Sequence, residues 1–147
     1  MIQSEFEDFI QKRRGHLMTA VEDLALFIDT HNVEHVMLLL ANVGYSRVPV
    51  ISKDKIYLGT IAITDIIRYQ KEHELSQEQV AGMDIALMVN RQMETLKEDY
   101  SLEEMMHKMV DAPFLPVLDA SDHLLGIITR KSLLKVMNAL LHTVKGE

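Results

Sequence analysis

Several features that often decide a protein's class are missing from this sequence. Its 147 residues include no cysteine and no tryptophan. Without cysteine the chain can form no disulfide, thiolate metal site or thiol nucleophile, and its redox compartment is left open. It also has no apolar run close to the roughly 20 residues that span a bilayer. The acidic segment MIQSEFEDF lacks the basic and apolar regions of a signal peptide, so we expect a cytoplasmic protein.

Positive charge is scarce as well. The chain has 15 Lys and Arg against 22 Asp and Glu, which gives a net charge of -7. Tight binding to DNA or RNA requires many cations against many phosphates, so this balance argues against a nucleic-acid partner. A small anionic ligand remains compatible, because it needs only two or three cations in one place.

Sequence motifs for catalysis and metal binding are also absent. There is no G-x-S-x-G nucleophile elbow and no phosphate-binding P-loop, and we predict that the protein is not an enzyme. His31 and His35 have the i, i+4 spacing of a helical ligand pair. No H-E-x-x-H frame accompanies them, so we predict surface or capping roles for both and no metal site.

The sequence does contain an internal duplication. Pro49 recurs as Pro116 and Gly59 as Gly126, both at an offset of 67 residues. Each Pro-Val pair begins an apolar run, and each glycine lies in a second run that ends just before a helical pattern. Repetition of this frame predicts two similar units within one chain.

Each copy predicts the order strand, helix, strand, turn, strand, helix. The polar turns KDK and ASDH each separate two β-branched runs, which indicates two hairpins. The helices before the hairpins begin at the capping residues Asn32 and Ser101. Outside the repeats, residues 2–14 predict an amphipathic helix, and Ser76 with Gln79 predicts a short capped helix between the copies.

This order, with GYSRVPV before the first hairpin, resembles the CBS domain, and two copies in tandem resemble a CBS pair, or Bateman module. The resemblance implies an α/β (α+β) fold of two β-α-β-β-α repeats with an N-terminal helix. GYS and the closing TRK further resemble the stand-alone, cyclic di-AMP-binding CBS proteins of Gram-positive bacteria, the CbpB/DarB group. The implied boundaries are an N-terminal helix at residues 1–14, CBS domain 1 at 15–72, a linker helix at 73–86, CBS domain 2 at 87–142 and a tail at 143–147.

The resemblance also implies two clefts for adenine nucleotides, each built from both repeats. The main site would consist of Leu24, Ala25, Tyr45, Ser46, Arg47, Val48, Thr129, Arg130, Lys131 and Ser132. The second, weaker site would consist of Ala62, Thr64, Asp65, Thr95 and Phe114. In the main site Tyr45 would stack on a purine, and the small side chain of Ala25 would leave room for it.

The two implied sites differ where a strand turns into a helix. Ser132 stands where the family has Asp, and Arg130 and Lys131 add two positive charges beside it. A helix N-terminus favours anions, and Arg binds phosphate through paired hydrogen bonds. At the other corner Ala62 replaces a Thr, whereas Asp65 could accept hydrogen bonds from ribose hydroxyls. We therefore expect the main site to bind a doubly charged ligand.

Two classes of function follow from the resemblance. The first is a non-enzymatic sensor that binds cyclic di-AMP as its regulatory ligand and controls a partner protein, for which the CbpB/DarB group suggests the synthetase-hydrolase of the stringent-response alarmone. AMP or ATP is the alternative ligand, because a free ribose diol suits Asp65. The second class is a structural homodimerisation module with vestigial clefts. We expect a homodimer through the second helices of the repeats, and no cofactor or membrane partner.

Overall fold

The computed structural model describes residues 2–43 and 46–145 and has the predicted α/β class. The elements of the first half are α1 (Ile2–Lys12), α2 (Arg14–Leu17), β1 (Met18–Ala20), β2 (Phe27–Ile28), α3 (Val33–Val43), β3 (Val48–Ile51), β4 (Tyr57–Ile61), α4 (Ile63–Glu72) and α5 (Gln77–Ala81). Those of the second half are β5 (Leu96–Lys97), α6 (Leu102–Met109), β6 (Phe114–Leu118), β7 (Leu124–Thr129) and α7 (Arg130–Lys145). Short 3₁₀ helices occupy Val21–Asp23 and Ile85–Met88.

The chain divides into two compact units. The first, here called unit 1, contains the described residues of the ranges 1–24, 94–120 and 125–147. The second, unit 2, contains those of the ranges 25–93 and 121–124.

Unit 1 is built on a four-stranded sheet of order β1-β7-β6-β5. Strand β1 is antiparallel to β7, and β5 is parallel to β6. Leu115 and Ile128 lie fully buried in its core, and Ile10 of α1 joins the same apolar cluster. Phe6 and Phe9 pack against that cluster, so the predicted amphipathic helix at the N-terminus is confirmed.

Unit 2 contains a three-stranded sheet of order β2-β3-β4. Strand β2 is parallel to β3, and β3 forms the predicted antiparallel hairpin with β4. The core beneath the sheet includes Val36 of α3, Ile66 of α4 and Ile85 of the 3₁₀ helix, all nearly inaccessible to solvent. Both helices that flank the hairpin therefore contribute to one apolar core.

Both repeat glycines lie where another backbone segment crosses their strand. A Cβ on Gly126 would collide with the carbonyl of Thr19 in β1, and one on Gly59 with the carbonyl of Asn90. Gly59 also has φ of 145°, a conformation that side-chain-bearing residues rarely adopt. In both cases the crossing segment and the glycine belong to different sequence repeats but to the same compact unit. The boundaries of the compact units therefore do not coincide with those of the repeats.

The predicted helix starts are confirmed by their hydrogen bonds. The Asn32 Oδ1 atom accepts the His35 N–H at 2.9 Å, and the Ser101 Oγ atom accepts the N–H of residue 104 at 3.0 Å. Ser76 and Gln79 form the complete capping box, with both reciprocal hydrogen bonds present. These capping bonds satisfy N–H groups at the starts of α3, α5 and α6 within a few residues of the chain, and the N–H of Val33 in α3 also donates to the distant carbonyl of Met83 at 2.9 Å.

Over 2–43 and 46–145, no helix combines the length and apolar character needed to cross a bilayer. In the same ranges, no three His, Cys, Asp or Glu side chains are grouped so that they could hold a metal ion. The rings of His31 and His35 meet edge to face, 5.0 Å apart.

Candidate functional site

In each unit a strand leads into a long α-helix, at a turn that we call a corner. In unit 1 the α7 corner comprises residues 129–132, and in unit 2 the α4 corner comprises residues 62–65. These are the polar ends of the two sites implied by the sequence. Because the corners carry different side chains, they are stabilised in different ways.

Thr129 caps the helix at the α7 corner. Its Oγ1 atom accepts the backbone N–H of Ser132 at 3.0 Å, and the two hydroxyl groups lie 2.9 Å apart. Both side chains are partly buried. The corner is therefore a fixed, hydroxyl-rich start of the 16-residue helix α7.

Arg130 and Lys131 follow Thr129 and are both exposed. The Arg130 Nε atom donates to the carbonyl of Met109 at 3.2 Å, and its Nη2 atom donates to the carbonyl of Val110 at 2.9 Å. These carbonyls lie at the C-terminal end of α6, where positive charge is favoured. An arginine has five N–H groups, so these two bonds leave three for another acceptor.

The other residues of the predicted main site are divided between the units. Leu24 is partly buried in unit 1, whereas exposed Ala25 and Ser46 and buried Val48 belong to unit 2. Tyr45 lies outside the described residues. The sequence assigned Arg47 to the main site as well, and the structure gives that side chain a specific partner.

Arg47 is bound to Asp65, a residue that the sequence assigned to the second site. The Arg47 Nη1 atom lies 2.8 Å from Asp65 Oδ2 and 3.0 Å from the hydroxyl oxygen of Thr60. Thr60 is fully buried, and Asp65 is 5% exposed. The structure thus brings together one member from each predicted site in a buried polar cluster of unit 2.

The Asp65 carboxylate is largely occupied by contacts within unit 2. Besides Arg47, its Oδ2 atom accepts the backbone N–H of Ala62 at 2.9 Å. Its Oδ1 atom accepts from the amide of Asn90 at 3.3 Å and lies 3.7 Å from Nη1 of Arg68. Because Ala62 has no side-chain acceptor, Asp65 supplies the polar contact that orders the start of α4.

Tyr57 is a further polar residue beside this cluster. Its hydroxyl group is buried and has no hydrogen-bond partner within residues 2–43 and 46–145. Burial raises the pKa of Tyr57 from 10.0 to about 12, although the positive charge of Arg47 lowers it in part. The phenol therefore stays protonated and neutral over the physiological range of pH.

The remaining residues of the predicted second site have varied surroundings. Thr64 is exposed on α4 in unit 2, whereas Phe114 is buried at the start of β6 in unit 1. Thr95 is partly buried in unit 1, and its carbonyl accepts from Lys108 Nζ at 2.7 Å. This set, like the main-site set, is divided between the units.

Lys108 also neutralises an acid beside Thr95. Its Nζ atom lies 3.4 Å from the carboxylate of Glu94 and 3.1 Å from that of Glu104. Burial lowers the pKa of Lys108, but the hydrogen bonds and charges of Glu104 and Glu94 outweigh this effect and raise it above 10.5. The ammonium group is therefore charged over the physiological range of pH, and it offsets the negative charge of Glu94.

Four residues with specific contacts were not among the predicted site residues: Thr60, Asn90, Tyr57 and Lys108. Thr60 could have been noticed, because it directly follows the repeat glycine in GTIAITD. Asn90 gave no such signal, since it reaches Asp65 only through its backbone pairing with Thr60. Lys108 could have been noticed from its i, i+4 spacing to Glu104, the acid that it pairs with on α6. Nothing in the local pattern marks Tyr57, because its surroundings depend on tertiary packing.

A family model described as "CBS domain" matches residues 16–72 and 83–139. The structure of CbpB from Streptococcus agalactiae is 50% identical, with 97% of this chain and 90% of that chain covered and a TM-score of 0.92. No curated protein matches.

Two further solved structures contain a ligand. A CbpB in complex with c-di-AMP is 50% identical, with 99% of this chain and 97% of that chain covered and a TM-score of 0.93. The Listeria monocytogenes CbpB protein, also in complex with c-di-AMP, is 27% identical, with 89% of this chain and 98% of that chain covered and a TM-score of 0.79.

Proposed function

This chain belongs to the CBS domain family, and from that premise we propose that it is a non-enzymatic regulatory protein that binds cyclic di-AMP (c-di-AMP). The observation that carries the proposal is the 50% identity, over 99% of this chain, to a CbpB solved in complex with c-di-AMP. At this level of similarity along nearly the whole chain, the same ligand is the most economical hypothesis.

The main site is proposed to be the sequence-predicted set that includes the α7 corner. Its hydroxyl groups are held in place by the contact between Thr129 and Ser132. Exposed Arg130 and Lys131 supply two cations for the two phosphates of c-di-AMP. Arg130 can donate to a phosphate while it keeps its two bonds to the end of α6, because three of its N–H groups are not used in those bonds.

The second set, which includes the α4 corner, is proposed to bind nucleotide more weakly. Its carboxylate is compensated by Arg47, so the pair contributes little net positive charge for a phosphate. Asp65 also keeps most of its acceptor capacity for Ala62, Arg47 and Asn90. A ribose hydroxyl would have to compete with these donors.

Ligand-induced thermal stabilisation tests the proposal. With c-di-AMP at about 100 times its Kd, binding should add about 2.7 kcal/mol to the free energy of unfolding and raise Tm by roughly 5–10 °C. The variant Arg130→Ala/Lys131→Ala should fold normally but lose the shift. A charge-matched control, Lys53→Ala/Lys71→Ala, changes two exposed side chains of unit 2 and should retain it.

Other outcomes favour the alternatives. Stabilisation by AMP or ATP alone would indicate a mononucleotide sensor that uses Asp65. A lack of stabilisation by any of the three nucleotides in the wild-type protein would favour a structural assembly module. Equal loss of the c-di-AMP shift in both double variants would mean that overall charge, and not the α7 corner, governs binding.

We also propose that the protein is a homodimer. Apolar side chains project from the helices that follow the hairpins, and Leu134, Leu141 and Ile67 are 63%, 60% and 42% exposed. Exposed leucines on one helix are typical of a surface that pairs with a second copy. Sedimentation equilibrium should give twice the chain mass, and Leu134→Asp/Leu141→Asp should give the chain mass itself.

The regulated partner is proposed on the same family grounds. The synthetase-hydrolase of the stringent-response alarmone is the candidate, and ligand occupancy is proposed to change its affinity for this protein. A regulator of this kind needs different partner affinities in its two states. The affinity of the purified proteins for each other, measured with and without c-di-AMP, should differ severalfold. Equal affinities would contradict control by the ligand, and no binding in either state would exclude this partner.

A further inference from the structure

A second group of basic side chains lies in unit 1, on a different face of α7 from Arg130. A cavity of about 430 Å³ is lined by Arg13, His16, Ser132, Lys135, Val136 and Ala139. We call it the basic cavity. The α7 residues that line it follow the i, i+3, i+4, i+7 spacing of one helix face, and Arg13 and His16 come from the chain around α2.

The electrostatic character of the basic cavity is unusual for this chain. The protein carries a net charge of -7, yet no carboxylate among the described side chains lines this cavity. None of the three basic side chains, Arg13, His16 and Lys135, forms an ion pair with another described residue. The positive charges of Arg13 and Lys135 therefore have no described counter-ion, and an anion in the cavity would be stabilised by them.

Contacts within unit 1 hold one of these cations in place. The Arg13 guanidinium stacks on the ring of Phe9, 3.7 Å from its centroid. Phe9 itself packs against the apolar core, so this arginine is not a free surface side chain. Of its five N–H groups, one donates to the Phe9 carbonyl at 3.5 Å, and the others remain available for an acceptor.

The lining also indicates the chemical class of the ligand. Arg, Lys and His side chains with a serine hydroxyl form the donor set that suits a phosphate group. Val136 and Ala139 add an apolar wall, and the volume lies within the ~300–1,000 Å³ of small-molecule sites. We propose that the basic cavity binds a phosphorylated small molecule, with its phosphate held by Arg13, His16 and Lys135.

The inference does not rest on the proposed function, although Ser132 is common to the basic cavity and the main site. The phosphate could belong to c-di-AMP or to a separate metabolite, and both sources present the same group to the same donors. Sodium pyrophosphate, which has no nucleoside, is therefore the appropriate probe.

Backbone amide NMR spectra of the full chain, titrated with pyrophosphate, test the site. Amide shifts should concentrate at residues 13–16 and 132–139. The variant Lys135→Gln alters an exposed side chain and should weaken binding at least about tenfold, the loss expected for one charge-assisted hydrogen bond. Arg13→Gln should act similarly, and the charge-matched control Lys53→Gln should bind like the wild type.

Two results would overturn the site. The first is no response to millimolar pyrophosphate, and the second is equal weakening of binding by Lys53→Gln and Lys135→Gln, which would indicate an effect of overall charge.

A parallel c-di-AMP titration identifies the source of the phosphate. If Lys135→Gln weakens both ligands, the phosphate is that of c-di-AMP; if it weakens pyrophosphate alone, a separate anion occupies the site. Failure of c-di-AMP to bind the wild type would refute the proposed function and leave the pyrophosphate result unaffected.

Discussion

Replacing Asp65 with alanine should destabilise the protein far more than replacing any exposed acid. The Asp65 side chain is 4% exposed and its partner Arg47 is 22% exposed. Removing one member of a buried ion pair costs about 3–5 kcal/mol, because the other member keeps its charge without compensation. Arg47 retains partial access to water, which places the expected loss near the lower end, at about 3 kcal/mol.

Urea-induced unfolding measures this loss directly. A decrease of about 3 kcal/mol corresponds to a fall in Tm of roughly 6–12 °C for a chain of this size. The matched control is Glu72→Ala, which removes an exposed acid from the same helix and should remain within about 0.5 kcal/mol of the wild type.

A double-mutant cycle with Arg47→Ala separates the ion pair from the other contacts of Asp65. The coupling free energy should be about 1–3 kcal/mol, because the two groups are in direct contact. If Asp65→Ala matches the control, or if the two substitutions are additive, the polar cluster does not stabilise unit 2 as described.

Two further substitutions test the fold and the effect of pH. Gly126→Ala should destabilise the protein by about 1–3 kcal/mol, because the added Cβ would meet the β1 backbone. The control Gly15→Ala, whose Cβ would have nothing within 4 Å, should be neutral or stabilising. Equal effects of the two substitutions in chemical unfolding would contradict the strand crossing at Gly126. Tyr57→Phe should not lower stability at neutral pH, since the buried hydroxyl has no described partner. Folding raises the pKa of Tyr57 from 10.0 to about 12, so the unfolded chain loses this proton first. The wild type should therefore lose about 2 kcal/mol as the pH rises from 10 to 12. Tyr57→Phe should lack that part of the loss, and identical alkaline curves would refute the pKa.

The sequence predicted those parts of the fold that depend on neighbouring residues. Ser76 with Gln79 is a complete local signal, and the structure contains both of its hydrogen bonds. The hairpins follow in the same way from short β-branched runs around a polar turn. Repetition made these patterns easier to recognise, because each was present twice.

Contacts between distant segments were not predictable in this way. Asn90 lies 25 residues from Asp65, and their contact depends on pairing between residue 90 and β4. The positive charge at Arg130 was evident from the sequence. Its hydrogen bonds to carbonyls about 20 residues earlier were not, because they require the C-terminal end of α6 to lie beside the start of α7. The family resemblance supplied the set of candidate residues, whereas the hydrogen-bond partners came only from the structure.

The α4 and α7 corners show both what the sequence could predict and what it could not. The sequence showed that residues 62–65 and 129–132 differ, because Ala62 and Thr129 occupy matching positions. It did not show that Asp65 forms an ion pair with Arg47, because a carboxylate beside a helix start can serve either in an ion pair or in ligand binding. Only the three-dimensional arrangement distinguishes these two roles.

Isothermal titration calorimetry with c-di-AMP, AMP and ATP is the most direct test of the proposed function. We predict saturable binding of c-di-AMP at micromolar or lower Kd, equivalent to about 8 kcal/mol or more, and little heat with AMP or ATP. The same titration of Arg130→Ala/Lys131→Ala should give no saturable heat. Binding of AMP or ATP without c-di-AMP, or no binding of any nucleotide by the wild-type protein, would contradict the proposal.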